Sequence, residues 1–419
     1  MRRWLSVLAL LGALGSAAFG QSLPQATPEE LGFSADRLAR LTQTLRQDVG
    51  EGGLPGAVVL IAREGKIAYF EQVGALDPQA KTQMNKDAIF RIYSMTKPVT
   101  SVAVMMLVEE GRLWLGDPIA KYLPEFKDMK VGVEKPGADG KPTLELVPAR
   151  RPITVHDLMR HTSGLTYGIF GDNLVKRSYR ENGLNGSLDI DNAEFVKRLA
   201  AQPLMAQPGA LWEYSHSTDV LGRLVEVISG KKLSVFFKER IFDPLGMKDT
   251  SFVVDPANHA RIAEPYANDR VIVPQVDIHD PRVAYKSEAG GAGLSGTAID
   301  YARFLQMLLN GGELEGKRYL SPKTIDYMTS DQLNAASRAG GYAPGEGYGF
   351  GLGFAVRERA GGSSLPGSVG DYSWGGAAGT YFWVDPKERM FVVYMMQSPK
   401  HRAHYRNVLK NMIYAAMVR

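Results

Sequence analysis

The sequence has no cysteine among its 419 residues. A thiol nucleophile, a disulfide framework and a lipobox lipid anchor are therefore all excluded, and the fold must be held by its core. Clustered metal ligands are also missing: the seven histidines are dispersed, and His401 and His404 form an isolated pair without nearby carboxylates. No G-x-S-x-G nucleophile elbow occurs, and Gly293-Leu294-Ser295-Gly296 has the wrong spacing for one. The tract Gly290-Gly291-Ala292-Gly293-Leu294 lacks the Lys-Ser/Thr pair of a phosphate loop and reads instead as a wall of a cleft. Net charge is only +4, with Lys and Arg scattered, so nucleic-acid binding has no support. After the first residues, no apolar run approaches the roughly 20 residues needed to span a bilayer.

What is present describes a globular, exported protein. The chain is 44% hydrophobic and 22% charged, a balance that builds a large core. Met1-Arg2-Arg3, the apolar run 4–14 and the small residues after it have the layout of a secretory leader, cleaved near Gly20. Periplasmic or secreted localisation follows from that leader alone. Residues 21–27 read as a loose linker, and Ser34-Ala35-Asp36-Arg37 starts a helix with Leu38, Leu41 and Leu45 on one face.

Two apolar runs, 57–62 and 66–70, flank Arg63-Glu64-Gly65 and predict a β-hairpin; 380–384 and 390–395 around Asp385-Pro386-Lys387-Glu388-Arg389 predict another. The segment 99–108 is apolar on nearly every side, which predicts a helix buried in the middle of the protein. Short helical patterns and Pro- or Gly-containing loops alternate over 113–280, and 402–418 reads as a closing helix. The expected architecture is α/β: an antiparallel sheet built from both chain ends (21–96 and 281–419), flanked by helices, plus a mainly helical part over 97–280.

Ser94-Met95-Thr96-Lys97 stands just before the buried helix, and a three-residue spacing puts hydroxyl and ammonium on one face. Burial and the positive end of the helix would help Lys97 accept a proton and Ser94 form an alkoxide. An N-capping serine is the plain alternative. Ser229-Gly230-Lys231-Lys232 matches the same pattern but reads as a helix C-terminus. Two further segments carry candidate groups. Tyr214-Ser215-His216 follows a loop, where a phenol could point into a cleft. Trp374-Gly375-Gly376-Ala377 precedes the second hairpin, where glycines permit close approach to a strand edge and the Ala377 N–H could donate to an oxyanion.

In this order the segments resemble the serine β-lactamase-like superfamily, most closely the family VIII carboxylesterases related to class C β-lactamases and D,D-carboxypeptidases. The likeness is carried by residues 91–98 and Leu158-Met159-Arg160-His161-Thr162-Ser163-Gly164-Leu165, and by the Tyr214 and Trp374 segments. It implies that Ser94 is acylated, Lys97 activates it, Tyr214 passes a proton to the leaving group, and the N–H groups of Ser94 and Ala377 form the oxyanion hole. His161 looks like a loop-fixing residue in such a fold, and no cofactor or metal is implied. Two departures bear on substrate. Trp374-Gly375-Gly376 replaces the Lys-Thr-Gly or His-Thr-Gly of lactamases and peptidases, and His216 stands where lactamases usually have Asn. Neutral short- to medium-chain esters are therefore expected over β-lactams or D-Ala peptides, with Trp374, Gly375, Gly376 and His216 around the substrate. A silent acyl- or peptidoglycan-fragment-binding protein and an acyltransferase are the other classes the pattern allows.

Overall fold

The computed structural model describes residues 23–185, 188–273, 276–338 and 344–419. The leader over residues 1–20 lies outside the described residues. The segment after it is not loose where described: Leu23 is buried, and the Ala26 N–H donates to the Ile67 carbonyl at 3.1 Å. The Ile67 N–H donates back to the Pro24 carbonyl at 2.8 Å, so backbone pairing anchors the segment together with the buried Leu23.

Strands β1 (Gly56–Arg63) and β2 (Lys66–Asp77) form the first expected hairpin. Its two-residue turn takes left-handed backbone at both Glu64 (φ 54°) and Gly65 (φ 77°), the turn whose twist suits a tight hairpin. A short strand β3 (Thr82–Gln83) borders β2. At the other end of the chain come β4 (Tyr348–Phe350), β5 (Ala355–Arg357), β6 (Tyr372–Gly375), β7 (Tyr381–Asp385) and β8 (Met390–Met396). The last two are the second expected hairpin. All eight form one antiparallel sheet in the order β4-β5-β6-β7-β8-β1-β2-β3.

The sheet is covered on both faces, which is why β1 is apolar without alternation. Ala57, Val59 and Ile61 pack against helices α1 (Ala35–Gly50) and the closing helix Arg402–Ala416. Val58, Leu60 and Ala62 face the opposite layer, which holds α2 (Thr96–Glu109) and the helix Ala298–Leu309. Full burial of each such Val, Leu or Ile contributes roughly 1.5–3 kcal/mol. The Ser34 hydroxyl caps α1 as expected, accepting from the Arg37 N–H. The Ser34 N–H in turn donates to the Ala416 carbonyl at 2.8 Å, so the described chain ends are stitched together.

Between α2 and residue 280 lie α3 (Val155–Met159), α4 (Leu174–Glu181), α5 (Asn192–Ala200), α6 (Ser217–Ser229) and α7 (Leu233–Phe237). Two hairpins interrupt this helical region, Lys130–Pro136 with Pro142–Pro148 and Val271–Val273 with Val276–Asp277. The first is largely exposed, and its apolar alternation is short, Val131 and Val133 on one strand and Leu144 and Leu146 on the other. Helix α2 is buried at every position from 96 to 107 and forms the central pillar of the molecule. Below, α8 denotes Ala298–Leu309 and α9 denotes Arg402–Ala416. Among the described residues no helix is long and apolar enough to cross a membrane.

Candidate active site

Ser94 lies in the 3-10 turn Tyr93–Met95 that leads into α2. The capping alternative does not hold: the N-cap position is Met95, which makes no side-chain cap bond, and the Ser94 hydroxyl is turned to the cavity. The residue before it, Tyr93, has φ 44°, a left-handed conformation that costs on the order of 1–3 kcal/mol for a non-glycine residue. Packing holds it there. Its hydroxyl accepts from the His279 N–H at 3.0 Å, and its ring meets the His279 ring edge-on at 5.0 Å.

Lys97 sits one turn further, 1% exposed. Its Nζ donates to Ser94 Oγ at 3.2 Å, to the Tyr167 hydroxyl at 3.2 Å and to the Gly291 carbonyl at 2.7 Å. Nζ thus has three oxygen partners at hydrogen-bonding distance. From the loop before α6, the Tyr214 hydroxyl donates to the same Ser94 Oγ at 2.8 Å and accepts from Trp374 Nε1 at 3.2 Å. Lys97 Nζ also stands 4.7 Å from the centre of the Tyr214 ring. The hydroxyl, amine and phenol named from the sequence thus meet at one oxygen.

Tyr167 carries no local pattern that singles it out in the sequence. Burial, followed by the Asp219 and Tyr214 charges, pushes its hydroxyl well above the usual phenol range, so it accepts from Lys97 as a neutral group. It lies two residues beyond the Leu158–Leu165 tract, a short extension that would have reached it. The loops carrying Tyr167 and Tyr214 are tied together at the residue before each: Thr166 Oγ1 donates to Glu213 Oε1 at 2.6 Å, and Lys176 pairs with Glu213 at 2.9 Å.

His216 does not touch Ser94. Its Nδ1 bonds Asp219 Oδ2 at 2.9 Å, and its ring packs edge-on against Tyr167 and Phe195 while lining the cavity. Burial would raise the Asp219 carboxyl, but the His216 hydrogen bond and charge, the Lys97 charge and the Gly291 N–H hold it below the usual range. Since Gly291 donates to Asp219 at 2.9 Å and accepts from Lys97, the glycine tract is the expected cleft wall and also a link between the two side chains. His161 behaves as a fixing residue. It is buried, kept neutral first by desolvation and then by the Lys97 charge, and it shares a hydrogen bond with Ser215 Oγ at 3.2 Å.

Trp374 and Gly375 are on β6 itself, not merely ahead of the hairpin. β5 pairs only as far as Ser373, so the far edge of β6 is open at Trp374 and Gly375 although β7 covers the other side. A Cβ at Gly376 would stand 2.2 Å from Thr380 Oγ1 and 2.5 Å from the Ile92 carbonyl, so only glycine fits there. Ser94, Tyr167, Tyr214, His216, Trp374 and Ala377 all line one cavity of about 630 Å³. Among the described residues no three His, Cys, Asp or Glu side chains are placed to hold a metal ion.

A nucleophile with two proton carriers on its oxygen can form and hydrolyse an acyl intermediate. The Beta-lactamase family model matches residues 41–412. The chain belongs to the beta-lactamase family. It is accordingly a serine hydrolase. Esterase EstB of Burkholderia gladioli is 34% identical over 376 residues, covering 84% of this chain and 88% of its own. Among solved structures, EstCE1, described as a hydrolase with promiscuous acyltransferase activity, superposes with a TM-score of 0.77 at 27% identity, over 90% of this chain and 99% of its own. Simvastatin synthase LovD from Aspergillus terreus reaches 0.73 at 25% identity, over 91% and 99%. The beta-lactamase-type fold expected from the sequence is the fold observed.

Proposed function

We propose that the protein is an exported esterase that cleaves carboxylic esters through an acyl-enzyme on Ser94. Lys97, acting from its neutral amine form, takes the Ser94 proton as Oγ attacks the ester carbonyl. Tyr214 then delivers a proton to the departing alkoxide, its oxygen supported by the indole N–H of Trp374. The N–H groups of Ser94 and Ala377 hold the developing oxyanion; both residues face the cavity. Water finally attacks the acyl carbonyl by the reverse proton path and frees the acid. Substrate lies between two parts of the chain, the sheet part (21–96 and 281–419) supplying Ser94 and Trp374, and the part spanning 97–280 supplying Lys97, Tyr214 and His216. The leader directs the enzyme to the periplasm or beyond.

One observation carries this reading: Lys97 Nζ and the Tyr214 hydroxyl both hydrogen-bond to Ser94 Oγ. Trp374 in place of a cationic residue favours esters over β-lactams. Acyl transfer is a second reading, favoured by a cavity of about 630 Å³ that leaves room for an acceptor alcohol beside the acyl group and by the activities named for EstCE1 and LovD. A fluorophosphonate probe tests the main reading. Stoichiometric labelling of the wild type and none of Ser94→Ala is expected, and an unlabelled wild type would turn the cleft into a binding site without chemistry.

A further inference from the structure

Arg91 opens the tract that runs into the nucleophile, yet no step of the proposed reaction uses it. Its side chain is fully buried, three residues before Ser94. A guanidinium keeps its charge, and withdrawing one from water is costly unless its N–H groups and its charge are met. Here they are met on every side. Nε donates to the His279 carbonyl at 2.5 Å, Nη1 to the Ala263 carbonyl at 2.8 Å and to Gln397 Oε1 at 3.4 Å, and Nη2 to the Glu264 carboxylate at 3.2 Å. Burial lowers the Arg91 pKa from its ordinary value, and the Glu264 charge offsets part of this.

Glu264 gathers two more guanidiniums, Arg282 at 2.8 Å and Arg270 at 3.6 Å. These two flank the hairpin of Val271–Val273 with Val276–Asp277, whose base is closed by the Ile278 N–H donating to the Arg270 carbonyl at 2.8 Å. Ile272, Val273, Val276 and His279 are part of the wall of the Ser94 cavity. One carboxylate therefore ties that wall to the strand Phe90–Arg91, which leads into the serine turn.

The tie meets the turn at one residue. His279 is gripped on both sides: its carbonyl accepts from Arg91 Nε, and its N–H donates to the Tyr93 hydroxyl at 3.0 Å. Tyr93, the residue before Ser94, holds φ 44°, a conformation that persists only where the surroundings over-determine it. A buried ion cluster is a weak source of stability, since well-packed apolar side chains can often replace one without loss. What the cluster supplies is orientation.

We infer that Glu264 is a positioning residue for Ser94: through Arg91 and the His279 grip it fixes the left-handed turn that aims Oγ at the ester carbonyl, while Arg270 and Arg282 key the cavity wall to the same carboxylate. The inference rests on the esterase reading. Glu264 is not among the residues lining the cavity, so its influence reaches the reaction through geometry alone.

Hydrolysis of p-nitrophenyl butyrate, with active serines counted by fluorophosphonate labelling, separates positioning from its alternatives. Misplacing an attacking group by about 1 Å costs about a hundredfold in rate. Glu264→Gln, which keeps the shape and removes the charge, should therefore lower kcat per labelled serine by about tenfold to a hundredfold, with KM within about twofold of wild type. Glu264→Asp, which restores the carboxylate, should recover part of the loss. A lower melting temperature or labelled fraction with kcat per labelled serine unchanged makes the cluster purely structural. A higher KM with kcat unchanged confines it to the cavity wall; either result overturns the inference. Should Glu264→Gln not fold, Arg282→Gln decides at the half-exposed edge of the cluster: kcat per labelled serine should fall by about threefold or more and Arg282→Lys should restore it. An unchanged kcat there overturns the inference. An unlabelled wild type removes the esterase reading and the inference with it, whereas a labelled wild type beside unaltered variants removes the inference alone.

Discussion

The chain contains the pattern Ser-x-x-Lys twice, and the two copies have opposite surroundings. At 94–97 the backbone is about to enter a helix, so serine and lysine stack on one buried face, and Lys97 Nζ reaches Ser94 Oγ at 3.2 Å. At 229–232 the backbone is leaving one. Ser229 is the last residue of α6, Gly230 turns the chain with φ 73°, and both lysines are exposed, Lys231 paired with Glu239. Ser229 Oγ only accepts the Lys231 N–H at 3.2 Å. The same four letters thus give a reactive pair or a helix end according to chain direction and to the layers stacked above them.

The contrast breaks most sharply at Lys97. Lys97→Ala should lower turnover of p-nitrophenyl butyrate by about 10³- to 10⁴-fold, since the proton acceptor for Ser94 is lost, with a circular dichroism spectrum close to wild type. Retained turnover would leave Lys97 a structural cation. Tyr214→Phe should follow at about 10²-fold, seen mainly in kcat because the phenol acts on the departing group; a normal kcat would reduce Tyr214 to packing. The smallest effect is expected at the other copy, where Lys232→Ala should stay within about twofold of wild type in steady-state kinetics, as an exposed charge outside the cavity does. A large loss there would erase the distinction between the two copies.

Much of this could be read from the sequence because the informative residues are either continuous or deeply buried. Both hairpins, the largely apolar α2 and the Ser34 cap depend on neighbours close in the chain. The short strands β4, β5 and β6 do not, since their pairing is fixed by partners that arrive from elsewhere, and so the local pattern puts Trp374 ahead of a strand when it is part of one. The site divides in the same way. Ser94, Lys97 and Tyr214 announce themselves by local pattern, but Tyr167 becomes visible only when Lys97 Nζ points at it, and the Asp219 partner of His216 only when α6 sets them three residues apart on one face. The grip of Arg91 and Tyr93 on His279 joins two segments that no local pattern connects.

The pairing of β1 with β8 has a consequence for how the molecule is made. Residues 56–63 leave the ribosome long before the strand that borders them at 390–396. No amino-terminal fragment can complete the sheet, and Gly376, which fits against the Ile92 carbonyl, reaches the serine turn equally late. The nascent polypeptide therefore remains chemically silent until residues 376–396 have been made.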